Sequence, residues 1–295
     1  MLWSTLLGPL PRAKQTQPSN WFDQLSQSTT QANTFELAVL GGRLAATPGL
    51  AFLAGYQAAL RALVPSAPQG IGAFCITEQR SNKAADIHTR WLNGHITGQK
   101  DFVIGGSDAQ WLVVLARNET ETQASQLCAV LVATNNENVT IQPRPALPIV
   151  PDIAHASVQF DQAPCSALAG DGWNDFNKPF RTLEDSHVLT ALCAWLYGQS
   201  LLDQWPKDLQ LQLIAVLAGL KETLLQPHQE AATHLLLGAI LAQFSSLQTQ
   251  ISQALNTHSC PAVAMAWHRD KAILEIAHSA RMRRLEVALN TLALI

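Results

Sequence analysis

The rhythm of apolar and polar positions changes twice along this chain. Up to residue 70 the pattern reads as short helices, and Phe35 to Val64 mixes small and apolar residues densely enough for buried helix. Gly41-Gly42 reads there as an interruption, and Pro65 and Pro68 close the segment. From 71 to about 165 short β-prone runs take over: Ile71–Thr77, Ile87–Leu92, Phe102–Ile104, Trp111–Ala116, Leu127–Ala133, Val139–Gln142 and Ala156–Phe160. Asn93-Gly94 is a hairpin dipeptide between two of them, and Gly98-Gln99-Lys100 reads as a turn before a third. Strands with no helices between them predict an antiparallel sheet or barrel.

Helical spacing then returns. Thr182-Leu183-Glu184-Asp185 has the form of a capping box, with Thr182 as N-cap of a helix reaching about Ser200. Pro206 suits the first turn of the next helix and Gln226-Pro227 its end, with Leu209, Leu213, Val216, Leu217, Leu220 and Leu224 as its buried stripe. Helices near 229–255 and 262–293 complete a four-helix unit. The expected fold class is α+β: a helical N-terminal segment over 1–70, a central antiparallel β-domain over 71–165 and a C-terminal helical bundle over 166–295.

Composition narrows the function classes. Of 295 residues 47% are hydrophobic and 14% charged, enough to bury a large core. A net charge of −3 gives no reason to expect nucleic acid or an anionic membrane as partner. No apolar run reaches the ~20 residues of a membrane span. The apolar patch from Leu2 to Leu10 lacks a basic flank and is broken by Pro9, so it does not read as a signal peptide. The 5 cysteines are odd in number and form no CxxC, which predicts reduced, buried thiols and a cytoplasmic protein. The histidines show no metal-ligand spacing, so no metal is expected, and no P-loop, nucleophile elbow or dinucleotide fingerprint occurs.

The stretch with chemical content is Phe74-Cys75-Ile76-Thr77-Glu78, followed by Gly98-Gln99-Lys100-Asp101-Phe102-Val103-Ile104-Gly105-Gly106. Ala109, a strand ending Leu115-Ala116-Arg117 and a distant Val158-Gln159-Phe160-Asp161 come after it. Together these resemble the middle β-domain of the acyl-CoA dehydrogenase family, whose order of parts also matches. The resemblance implies an FAD whose isoalloxazine lies on Phe74, Cys75, Ile76 and Thr77, with the Thr77 hydroxyl at its pyrimidine edge. Ser81 would match the serine of the family's pyrophosphate loop, and Phe102 would stack on the ring. Ile104 stands where the family carries a hydroxyl near N5, and a plain core role for Phe102 and Ile104 is the alternative. The chain departs from the pattern in three places. Gln79-Arg80-Ser81-Asn82-Lys83 replaces a glycine-rich loop, no Gly-Gly occurs after residue 106, and no arginine precedes a Phe-Gly after the first bundle helix. Weak or absent FAD affinity is expected from these losses.

The resemblance implies α,β-dehydrogenation of an acyl thioester such as an acyl-CoA, as in fatty acid metabolism, with a carboxylate base and hydride transfer to the flavin. The family's usual Glu before Gly-Thr near the C-terminus is missing. Glu184 lies near the position that some branched-chain members use for the base, with Asp185 as the alternative. Both acids also suit the first turn of a helix for structural reasons alone. Arg281, Arg283 and Arg284 are read either as partners of a CoA phosphate or as a solvated basic face. A degenerate, non-catalytic scaffold paired with an intact paralogue is the second hypothesis, and a flavin oxidase or hydroxylase the third. Leu235-Leu236-Leu237-Gly238-Ala239-Ile240-Leu241 is apolar on most sides of its helix, which predicts at least a homodimer through the bundle.

Overall fold

The computed structural model describes residues 2–119 and 126–293. Four helices lead: α1 (Trp3–Leu7), α2 (Pro18–Ser28), α3 (Thr34–Leu44) and α4 (Pro48–Leu63). The N-terminus of α3 is closed by a capping box, Asn33 accepting from the Glu36 amide while Glu36 accepts from the Asn33 amide. Gly41-Gly42 does not interrupt α3. It lets α3 press against its neighbours: a Cβ on Gly42 would lie 2.0 Å from the Ala191 carbonyl oxygen.

The strands are β1 (Gly72–Cys75), β2 (Arg90–Leu92), β3 (His95–Ile104), β4 (Trp111–Asn118), β5 (Leu127–Ala133), β6 (Val139–Pro143), β7 (His155–Pro164) and β8 (Ser166–Ala167). They form one sheet in the order β6-β7-β3-β2-β4-β5-β8, with β1 also on β4. Most pairs are antiparallel, as expected, but β1 and β2 both run parallel to β4 along successive parts of its length. Gly98-Gln99-Lys100 is not a turn. It lies inside β3 beside register shifts, and Gly98 at φ +141° passes so close to Thr89 that a Cβ would stand 2.7 Å from its Cα.

Strand alternation divides the interior in two. Ala73, Cys75, Leu112, Val114, Val130 and Val132 face a cluster enclosed by the curved sheet. Phe74, Trp111, Val113, Leu115 and Ala129 face the helices and join a core shared by the segments before and after the sheet. Phe74 packs edge-on against Phe180 at 4.8 Å, Phe180 meets Tyr56 at 5.6 Å, and the Tyr56 hydroxyl accepts from the Phe74 amide at 2.8 Å.

Six helices follow: α5 (Lys178–Leu202), α6 (Lys207–Leu225), α7 (Ala231–Ser246), α8 (Gln248–His258), α9 (Pro261–Asp270) and α10 (His278–Thr291). A wide turn over Gly172–Asn177 runs straight into α5, and the Asp171 carboxylate caps it through the amides of Trp173 and Asn174. Thr182 is therefore no N-cap but a buried residue inside α5, and Glu184 and Asp185 lie past its first turn, where the helix dipole gives no reason for acids. The two long helices expected after residue 228 are four shorter ones, broken at Leu247, at Cys260-Pro261 and by a 3₁₀ stretch over Lys271–Glu275. Trp267 stacks on Trp195 at 5.9 Å, fastening α9 to α5. Cys75, Cys128 and Cys193 are buried, but Cys165 is half-buried and Cys260 exposed, so the expectation of buried thiols fails for these two. No helix among the described residues is long and apolar enough to cross a membrane.

Candidate functional site

The residues from Thr77 to Lys100 assemble around a buried ion pair. Lys100 Nζ donates to Glu78 Oε1 at 2.6 Å, with both side chains almost wholly out of solvent. Glu78 also accepts from the amides of His88 and Thr89, and Lys100 donates to the Ile76 carbonyl at 3.2 Å. These contacts fix the end of β1 against β3. The two sequence segments that carry the resemblance thus meet through their charged residues, although sequence reading assigned neither a role. A lysine at a barrel-facing position of a strand was the available signal.

Beyond Thr77 the chain turns tightly. Gln79 and Arg80 both adopt left-handed conformations, at φ 47° and 64°, and Glu78 and Ser81 exchange backbone hydrogen bonds across them. The Arg80 amide is held by Asp101 at 2.8 Å, and the Ser81 hydroxyl donates to Asp86 at 2.5 Å. Ser81 is thereby committed to a carboxylate.

Where the sheet edge meets the helices, a cavity of about 320 Å³ opens. Thr77, Phe102, Ile104 and His155 line it from the sheet, Phe52 from α4, and Glu184 and Val188 from α5. Leu147, Leu241, Ile273, Leu274, Ile276 and Ala277 complete an apolar wall. Of the residues singled out in the sequence, the fold gathers Thr77, Phe102, Ile104, Glu184, Asp185 and Arg281 here. Phe74, Cys75 and Ser81 lie outside: Phe74 is core packing, Cys75 points into the sheet's inner cluster, and Ser81 serves the turn. Burial pushes the Cys75 thiol up to about 12, so it stays protonated.

Glu184 is the chemically distinctive group. Desolvation raises its pKa to about 8; the charge of Asp185 adds to the rise, and Arg181 and Arg284 oppose it. Its neighbour Asp185 is differently employed. Arg281 Nη1 reaches Asp185 Oδ1 at 3.0 Å and Arg284 Nη2 reaches Oδ2 at 2.5 Å. This double clamp removes Asp185 as a free base. It also corrects the reading of the last helix as a solvated basic face, since Arg281 and Arg284 are mostly buried. Arg283 is the exposed member of the three.

His155 carries no motif and was not legible in the sequence. It opens β7, is only 3% exposed, and its Nδ1 has no hydrogen-bond partner. Its ring lies 4.7 Å from that of Phe102, and burial lowers its pKa, keeping the imidazole neutral. His155, Thr77, Phe102 and Leu147 also line an adjoining vestibule of about 690 Å³, which carries Arg80, Arg144 and Asp101. Among the described residues no three His, Cys, Asp or Glu side chains converge as metal ligands.

An aromatic ring, a threonine hydroxyl and an apolar wall suit the ring system of a flavin, and two arginines in the vestibule suit an attached phosphate. The turn at Gln79-Arg80 and the engaged Ser81 do not rebuild a glycine cradle for a dinucleotide.

No protein-family model and no curated protein matches the chain by sequence. Solved structures match it by shape. FkbI, described for biosynthesis of the methoxymalonyl extender unit of the polyketide Fk520, is 15% identical, with 90% of this chain and 85% of that one covered at a TM-score of 0.67. TdsC from Paenibacillus sp. A11-2, solved with FMN and indole, is 14% identical over 91% of this chain and 86% of its own, at 0.66. Butyryl-CoA dehydrogenase from Megasphaera elsdenii is 12% identical over 93% and 87%, at 0.62. With its helices enclosing one face of a curved, mixed sheet, this chain has the acyl-CoA dehydrogenase fold.

Proposed function

We propose that the chain is a flavin-dependent oxidoreductase that removes a proton and a hydride from neighbouring carbons of an acyl thioester, with Glu184 as the proton-transfer residue. The observation that carries this is the cavity in which Glu184 faces Thr77, Phe102 and Ile104. A bound flavin would supply the hydride acceptor. The protein's own share is to hold the acyl group against an apolar wall of Phe52, Val188, Leu241 and Leu274, which excludes water from the reacting carbons. Glu184 takes the α-proton in its ionised form. With a pKa of about 8 it is mostly protonated at neutral pH, so turnover should rise as pH passes through that value. Thr77 has a hydroxyl free to orient a polar edge, whereas Ile104 offers none, which leaves one fewer hydrogen bond near the ring.

A second reading has its own support. Ser81 is bound to Asp86, and the left-handed pair Gln79-Arg80 fills the place of an open loop. This favours weak binding of a full dinucleotide, and with it a scaffold that has lost turnover. Purification followed by an absorption spectrum separates the two, with FMN and FAD added in turn and acyl-CoA turnover followed with an artificial electron acceptor. Flavin absorbance with turnover that Glu184→Gln abolishes supports the enzyme. A colourless protein that gains neither absorbance nor turnover with either flavin leaves the scaffold reading.

A further inference from the structure

Two buried histidines of this chain are held in contrasting ways. His187 on α5 has both ring nitrogens engaged, Nδ1 with the Leu183 carbonyl at 2.8 Å and Nε2 with the Thr34 hydroxyl at 3.0 Å, and so belongs to the core. His155 on β7 is 3% exposed and its Nδ1 meets no partner. The Ile153 carbonyl is near enough to favour a proton on this ring but completes no hydrogen bond with Nδ1. A buried, unpaired ring nitrogen is costly, so some other constraint sets its position. Here the backbone does. His155 stands opposite Ile104 in the β3–β7 register, and its carbonyl accepts from the Arg144 amide at 2.9 Å. The next pair along, Val103 and Ala156, faces the sheet's inner cluster, so alternation turns Ile104 and His155 to the other face. That face is the sheet wall of the cavity, where His155 joins Thr77, Phe102 and Ile104. Its ring leans on that of Phe102, with centroids 4.7 Å apart and planes at 42°. Phe102 and Ile104 have no side-chain hydrogen bond to offer, which leaves Thr77 and His155 as the polar groups of this wall.

We propose that His155 hydrogen-bonds the heteroatom edge of a flavin ring stacked on Phe102, and so orients that ring on the sheet wall of the cavity. The assignment rests on the flavin reading above and adds to it the residue that positions the ring. A neutral imidazole carries one donor and one acceptor, and a flavin edge presents both kinds of partner. The role falls to β7 because Ile104, the cross-strand neighbour on β3, has no polar side-chain atom to give. Arg80 and Arg144 in the adjoining vestibule are the candidates for any phosphate, so His155 is assigned to the ring alone.

Riboflavin and FMN, titrated separately into the full chain and followed by quenching of flavin fluorescence, test the assignment. The wild type should bind both saturably. His155→Leu fills a similar volume without a polar atom and should weaken both by the same factor, about five- to tenfold, the scale of one hydrogen bond lost at a buried group. His155→Gln keeps a donor and an acceptor and should recover most of that loss. Thermal melts of both variants accompany the titrations. A purely structural histidine predicts equal losses of affinity in the Leu and Gln variants, and that result overturns the proposal. So does unchanged affinity in His155→Leu, or the absence of saturable quenching of either flavin by the wild type. A loss confined to FMN would place the imidazole on the phosphate and overturn it as well. Turnover is read separately: flavin binding that depends on His155 without acyl-CoA turnover leaves this assignment standing and removes the dehydrogenase reading.

Discussion

At the scale of single residues, charge burial separates the groups available for chemistry from those that hold the fold. Glu184 carries a folded pKa of about 8 against roughly 4.3 for a carboxyl in an unfolded chain. Between these values the unfolded state has released a proton that the native state keeps, so stability falls as pH rises through that window and levels off above it. Glu184→Gln removes this penalty. The gain in Tm over wild type should be small near pH ~5 and grow to a plateau above pH ~8. A difference that stays flat across that range in thermal melts would show that Glu184 is not held neutral by burial. The Glu78–Lys100 pair behaves in the opposite sense, because each charge depends on the other. Lys100→Met should cost about 3–5 kcal/mol in denaturant unfolding by stranding a buried carboxylate. The double variant with Glu78→Leu should lose less than the sum of the two single changes. Additive losses would deny the coupling.

At the scale of elements, the sequence was informative where period and composition agree, and silent where close approach decides the geometry. The stripe from Leu209 to Leu220 is buried on α6 as its spacing requires, while its predicted last member, Leu224, is only half-buried, and each predicted β-prone run lies in or beside an observed strand. The start of α5 was misjudged because Thr182 and Asp185 imitate a capping box, while the real N-terminal stop lies seven residues before Lys178 at Asp171. The true capping box, Asn33 with Glu36, has the same local form, and only the tertiary burial of Thr182 distinguishes the two. The candidate site was legible only in part. Thr77, Phe102, Ile104 and Glu184 stood in recognisable segments, whereas His155 reaches its place through strand pairing that no local pattern encodes. Gly41-Gly42 shows the same limit: small residues mean either a break or a tight contact, and here α3 continues onto α5. Gly42→Ala should therefore destabilise the chain by about 1–3 kcal/mol through overpacking, despite alanine's better helix propensity. An unchanged or raised Tm would show that α3 and α5 can separate without loss.

At the scale of the whole molecule, the surface left uncovered is as informative as the core. The helices after residue 205 keep Leu211 63%, Leu225 70%, Met282 50% and Val287 64% exposed, and Leu236 on α7 is 38% exposed. The all-round apolar character of α7 is only partly accounted for within one chain: Leu237 and Phe244 are buried, while Leu236 and Ala239 face outward. Large apolar side chains repeated over neighbouring helices are uncommon on a monomer and mark contact surfaces. A second copy placed on these helices would cover them. Light scattering at micromolar concentration should then report at least twice the 32.0 kDa chain mass. Leu225→Glu combined with Val287→Glu should shift the mass towards the single chain while far-UV circular dichroism stays unchanged, since both side chains are exposed in one copy. A wild-type mass of one chain would mean that these residues do not self-associate.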